Sequence, residues 1–172
     1  MTHPFLSASP AVALLLSSAP VNRVPKRITN TEKERVTAEN FVMKDMIKKA
    51  GLEDKYYIES AATSREEIGN DTHPGTKRKL TEAGVPYTKR RARQIKKSEY
   101  DEYDYLVIMD QNNYRNLFRI IGSDPENKVY KLLEFAGKDR DIADPWYTGN
   151  FDETYDDVVE GCQALLEHLE NK

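Results

Sequence analysis

The chain has 172 residues, 38% of them hydrophobic and 32% charged, with a formal net charge of −3. That size fits one domain with a single substantial core, and the charge balance excludes a general pull toward nucleic acid or acidic lipid. A single cysteine excludes an intrachain disulfide and fits a reducing, cytoplasmic setting.

No run nears the roughly 18–20 apolar residues that span a bilayer, so no membrane association is expected. Ala11 to Leu16 is a short apolar run, but no positive n-region of a signal peptide precedes Asn22. The same run can form a short buried strand. Residues 17–37 mix Pro20, Arg23, Pro25, Lys26 and Arg27 with the polar run Thr29 to Arg35; they show no period and read as loop or disorder. Composition shifts near position 38. This divides the chain into an atypical N-terminal segment, 1–37, able to supply a first strand, and a regular domain, 38–172.

From there the elements follow in order. Val42, Met43, Met46, Ile47 and Ala50 form a helical stripe that Gly51 ends. Tyr56 to Ala61 reads as a strand. Pro74 opens a helix that Gly84 closes. Tyr105 to Met109 is a continuous apolar strand of the kind buried on both faces of a parallel sheet. Leu117, Phe118 and Ile121 stripe the next helix, and Val129 to Leu133 reads as another strand. Tyr155, Val158, Val159, Cys162, Leu165, Leu166 and Leu169 give the best helical period in the chain. Strands alternating with helices predict a doubly wound α/β layer with a parallel sheet.

Tyr105-Leu-Val-Ile-Met-Asp110, followed by Gln-Asn-Asn-Tyr-Arg115-Asn-Leu117, resembles the strand and helix start of low-molecular-weight protein-tyrosine phosphatases. So do, in order, Ala38-Glu39, Gly51-Leu-Glu-Asp54, Ser60-Ala-Ala-Thr-Ser64, Ile68-Gly69, Arg91-Ala-Arg93-Gln94 and Asp144-Pro-Trp-Tyr147. The ordered set covers about residues 39–172. It implies a three-layer, doubly wound α/β fold with a four-stranded parallel sheet whose first strand is atypical here. That first strand is central in the family, and Ala11 to Leu16 is the only upstream segment apolar enough to fill its place.

The resemblance also implies a chemistry. In the family a cysteine thiolate attacks the phosphorus of a phosphate monoester. Backbone N–H groups of a Cys-x5-Arg-Ser loop and of the following helix cradle the phosphate and lower the thiol pKa. The loop arginine holds the equatorial oxygens, and an aspartate protonates the leaving oxygen. Asp144 matches that aspartate, on a loop stiffened by Pro145. Trp146 and Tyr147 match the aromatic walls that bind the substrate ring. Ser60 matches a serine that supports the phosphate loop. The implied partner is a phosphotyrosine protein or a small aryl phosphate, with no cofactor, no metal and no nucleic acid; the oligomeric state is not indicated.

Each residue also has a plainer reading. Asp144-Pro145 can be an ordinary turn beside two half-buried aromatics. Ser60 can be a strand-end hydroxyl, and Glu66 a solvated loop carboxylate. Lys89, Arg90, Arg91, Arg93, Lys96 and Lys97 can be solvated charge or a positive field beside a phosphate cleft. Arg90 stands where the family often has histidine.

The nucleophile is missing. Arg35 lies near the expected end of the loop, but Val36-Thr37 follow it and no cysteine precedes Ala38. Cys162 is followed six residues on by His168, not arginine, and its place on the apolar stripe makes it a core thiol. Three-thiol arsenate reduction on the same fold is excluded by the one cysteine. Two accounts fit: an altered gene start joined to an intact family body, or a noncatalytic pseudophosphatase acting as a binding module. The abrupt change at 36–40 favours the first. Either way little or no hydrolysis is expected.

Overall fold

The computed structural model describes residues 12–18, 38–63, 74–87, 94–142 and 151–171. In chain order its elements are β1 (Val12–Ser18), α1 (Ala38–Lys49), β2 (Tyr56–Ala62), α2 (Pro74–Glu82), α3 (Glu99–Glu102), β3 (Tyr105–Ile108), α4 (Gln111–Ile121), β4 (Val129–Lys131) and α5 (Phe151–Glu170). The strands form one sheet in the order β2-β1-β3-β4. Among the described residues, no helix is long and apolar enough to cross a membrane.

The fold is α/β, with helices on both faces of a four-stranded sheet. The apolar N-terminal run does enter the sheet as β1, between β2 and β3. Its direction differs from the expected all-parallel order. Val12 faces Ala62 and Ser18 faces Tyr56, while Leu14 faces Val107 and Leu16 faces Tyr105, so β1 is antiparallel to both neighbours. β3 and β4 are parallel. The physical reason lies in the run itself. Ala13, Leu14, Leu15, Leu16 and Ser17 are all buried, so both faces are covered. A strand without polar alternation carries no signal for direction, and it fills the slot either way.

Alternation along the strands then splits the core in two. Leu14, Leu16, Ile58 and Val107 join Val42, Met43, Val158 and Leu165 on the side of α1 and α5. Ala13, Leu15, Ala61, Leu106 and Ile108 join Leu117 and Ile121 of α4 on the other. Burying each leucine contributes about 1.5–3 kcal/mol before entropy is counted. On the α4 side a buried carboxylate is held by two phenols. Glu59 Oε2 accepts from Tyr57 at 3.0 Å and from Tyr103 at 2.9 Å. Burial first, then the adjacent Glu59, pushes the Tyr103 hydroxyl pKa far above its ordinary value.

Two boundaries differ from the pattern. The run from Val129 to Leu133 is strand only to Lys131; Leu132–Ala136 coil into a 3₁₀ turn closed by Gly137 at φ 74°. Leu132 there fills the groove over Gly161 of α5, where any Cβ would strike its side chain. Ala50 falls in the turn after α1 and is exposed.

The end of α5 is tied to the start of β2. Glu170 accepts from the Tyr56 hydroxyl and pairs with Lys55 at 3.0 Å. Those hydrogen bonds, Tyr56 first and Lys55 next, hold its carboxyl below the usual carboxylate range. A depressed acid stabilises the fold above its unfolded pKa and loses that contribution as pH falls through its folded value. Wild type and Glu170→Gln should therefore differ in melting temperature at neutral pH, and the gap should close as pH drops through the carboxylate range. Leu15→Ala should cost about 2–5 kcal/mol in urea unfolding; a loss under about 0.5 kcal/mol, the range of surface changes, would show that β1 is not in the core.

Candidate functional site at the carboxyl edge of the sheet

Because β1 opposes both β2 and β3, the strands β2, β3 and β4 all run the same way. Their carboxyl ends define one edge, bordered by Thr63, Asp110 and Leu132. Ligand crevices of open α/β sheets lie at such an edge. Helix starts gather there as well. A short turn through Gly51, at φ 72°, joins the end of α1 to the start of β2, so α1 runs back and begins at the carboxyl edge. The bond from Tyr56 to Glu170 places the end of α5 at the opposite edge, and its start, Phe151, at this one. Gly75 of α2 lies against the Phe151 ring, and Lys79 pairs with Asp152 at 2.6 Å. Helix N-termini carry partial positive charge and expose N–H groups, so the edge favours an anion.

The strand-to-helix junction after β3 is a reciprocal cap. The Asp110 side chain accepts from the Asn113 amide at 2.8 Å, and Asn113 Oδ1 accepts from the Met109 amide at 3.1 Å. Its sequence signal is the Asp-x-x-Asn spacing, which resembles a capping box except that Asn113 reaches the residue before the N-cap, and the strand reading alone leaves it without a role. Two buried oxygens also border the edge. Asn40 Oδ1 on α1 and Thr63 Oγ1 after β2 have no hydrogen-bond partner among the described residues.

Ser60 lies within β2 rather than at its end, 1% exposed and opposite Leu14. It shares the face of Tyr56 and Ile58, toward α1 and α5. Asp144, Trp146 and Tyr147 lie outside the described residues, as do Arg35, Glu66 and residues 89–93. Lys96 and Lys97 are described and exposed.

The chain leading to Asp144 is fixed at three successive residues. Arg140 donates both guanidinium nitrogens to Asp157 of α5, at 2.9 and 2.7 Å. Asp141 pairs with Lys131 of β4 at 2.9 Å. The Ile142 amide donates to the carbonyl of Met109 at the end of β3, at 3.0 Å. Asp157 is buried and its fork is bidentate, which gives orientation as well as energy. Nothing in the sequence pairs residues 17 positions apart, so this clamp was not legible there.

Cys162, the chain's one cysteine, is fully buried in α5, packed with Val158 and Leu165. It lies eleven residues into the helix, about 16 Å of rise from Phe151.

A family model described as low molecular weight phosphotyrosine protein phosphatase matches residues 34–172. The chain belongs to this family. The low molecular weight protein-tyrosine-phosphatase YfkJ of Bacillus subtilis is 33% identical over 134 residues, 76% of this chain and 85% of that protein. Its crystal structure superposes with a TM-score of 0.73, covering 78% of this chain and 86% of that one. SP-PTP, the low molecular weight protein tyrosine phosphatase of Streptococcus pyogenes, gives 0.67 at 34% identity, over 79% and 85%. The low molecular weight protein-tyrosine-phosphatase PtpA of Staphylococcus aureus is 30% identical over 129 residues, 74% of this chain and 81% of its own. β1 lies upstream of the matched residues.

Losing one hydrogen bond to a charged group costs about 1.5–3 kcal/mol, less where the partner is solvated. Arg140→Ala and Asp157→Ala should each destabilise by about 1–3 kcal/mol, with the double variant costing clearly less than the sum. Strictly additive losses in urea unfolding would mean the fork contributes nothing.

Proposed function

We propose that this chain keeps the body of a low-molecular-weight protein-tyrosine phosphatase but lacks its nucleophile, and that it hydrolyses phosphate monoesters little or not at all. Residues 38–172 are read as the phosphatase-like body and 1–37 as the segment that lends it a central strand. The observation that carries the reading is the position of the one thiol. Cys162 is buried in α5, in the core, with no arginine six residues after it. A buried apolar setting favours the neutral thiol, whereas attack on phosphorus needs a thiolate.

The rest of the machinery supports a phosphate-recognising cleft. Asp144 follows the triply anchored residues 140–142 by two positions in the sequence, which supports reading it as the general acid. It would protonate a leaving phenolate oxygen. Trp146 and Tyr147 would flank an aryl ring, and Ser60 and the start of α1 would support the anion. Such a module binds a phosphotyrosine side chain or a small aryl phosphate without turning it over. It requires no cofactor or metal, and its setting is read as cytoplasmic.

The test is purified protein with a chromogenic aryl phosphate, beside Asp144→Asn and Cys162→Ala. All three should show the same near-background rate, because losing a covalent nucleophile removes several orders of magnitude. Turnover that falls in Asp144→Asn or vanishes in Cys162→Ala would overturn the reading. If all three are inactive, replacing residues 1–37 with a parallel first strand that leads into a Cys-x5-Arg-Ser loop ahead of Ala38 should recover activity, provided the body is intact.

A further inference from the structure

The outer face of α4 carries a feature that neither the fold nor the cleft uses. Leu117, Ile121 and Asn113 turn inward and are buried. The opposite side is built from two adjacent helical rows. Gln111, Arg115 and Arg119 follow one another at i, i+4 spacing, and Tyr114 and Phe118 form the next row. The two rings lie 4.4 Å apart at 31° and form an open, shallow shelf with the arginines along its rim. Tyr114 is 38% exposed, one of only two large hydrophobic residues exposed to that degree among the described residues.

Lys128, Lys131, Lys138 and Arg140 each have a carboxylate partner. Arg115 and Arg119 have none among the described residues; Arg115 donates to the neutral Asn112 side chain. In a chain of net charge −3, two exposed guanidinium groups beside the exposed Tyr114 and the half-buried Phe118 form a local positive, apolar strip about 12 Å long. It starts at Gln111, directly after the Asp110 cap, and so begins at the same edge as the candidate cleft.

We infer that this strip docks an acidic peptide segment bearing an aromatic side chain, as part of the phosphoprotein that the cleft would engage. This rests on the phosphatase-family reading of the cleft. The aromatic side chain would lie on Tyr114 and Phe118, and the carboxylates would meet Arg115 and Arg119, which bind them bidentately. Nucleic acid fits less well, because two arginines neutralise too few phosphates for useful affinity. A lipid surface fits less well because the strip has only two aromatics and two charges, on a chain that is acidic overall.

The experiment uses the full chain and a fluorescein-labelled hexapeptide of Glu and Asp with one central Phe and no phosphate group. Anisotropy should show saturable binding that weakens with salt. Affinity should fall about tenfold or more in the Arg115→Glu, Arg119→Glu double variant, and also fall in Tyr114→Ala. A peptide with Lys in place of its acids should not bind. The milder Arg115→Gln, Arg119→Gln pair serves if the reversed pair does not fold. Unchanged binding in folded charge variants, equal binding of the lysine peptide, or tighter binding of a single-stranded RNA oligomer would overturn the inference. So would a concentration-dependent dimer in sedimentation that Tyr114→Ala abolishes. Because the probe carries no phosphate, its failure says nothing about the cleft, and an inactive or empty cleft leaves this result standing.

Discussion

The structure depends on the dry burial of Leu14, Leu15 and Leu16 between β2 and β3. These three side chains are at most 1% exposed, and they alternate into both cores. Without them the two halves of the sheet would face a gap one strand wide. β2 would be an isolated edge, and α1 and α5 would lose the surface they pack on. The segment that fills this gap lies before residue 34, where the family match begins. The slot asks only for apolar side chains and a pleated backbone, which this run supplies.

Strand direction decides what reaches the functional edge. β1 ends at Ser18, opposite the first residue of β2, whereas α1 begins at the far edge. In the phosphatase pattern the first strand delivers its loop directly to the first helix. Here residues 19–37 intervene, and β1 points its carboxyl end away from α1. The helix N-termini that would hold an anion are still collected at the edge, and the chain entering the Asp144 segment is still clamped by Arg140, Asp141 and Ile142. Fold and family are clear from the match over residues 34–172, while catalysis is implied by neither.

The sequence made most of the scaffold legible because its signals are local. Gly51, Gly84 and Gly122 end their helices with φ between 72° and 82°, and the apolar stripe of α5 matches its buried face from Val158 to Leu169. The slot for residues 11–16 was readable from apolarity alone, but not its direction, since direction is set by how the chain closes at long range. The same limit explains β4. An apolar run from Val129 to Leu133 cannot say that Leu132 will turn down onto Gly161, a partner 29 positions away. For the site, Ser60 was named only through the family resemblance, the Asp110 cap was missed although its Asp-x-x-Asn spacing was there to read, and the Arg140–Asp157 fork had no local signal. Asp144, Trp146 and Tyr147 rest on motif order, with the anchored residues on their N-terminal side as physical support.

The most direct measurement is the pattern of interstrand contacts between Val12–Ser18 and Tyr56–Ala62 by nuclear Overhauser effects in the labelled protein. Facing Hα protons of antiparallel strands approach closely at the non-hydrogen-bonded pairs. The account predicts contacts in opposite order, with residues near Val12 meeting those near Ala62 and residues near Ser18 meeting those near Tyr56. Contacts in the same order, with Val12 near Tyr56, would contradict it: β1 would then point its carboxyl end at the start of α1, and the segment between them would again be placed to form a phosphate loop.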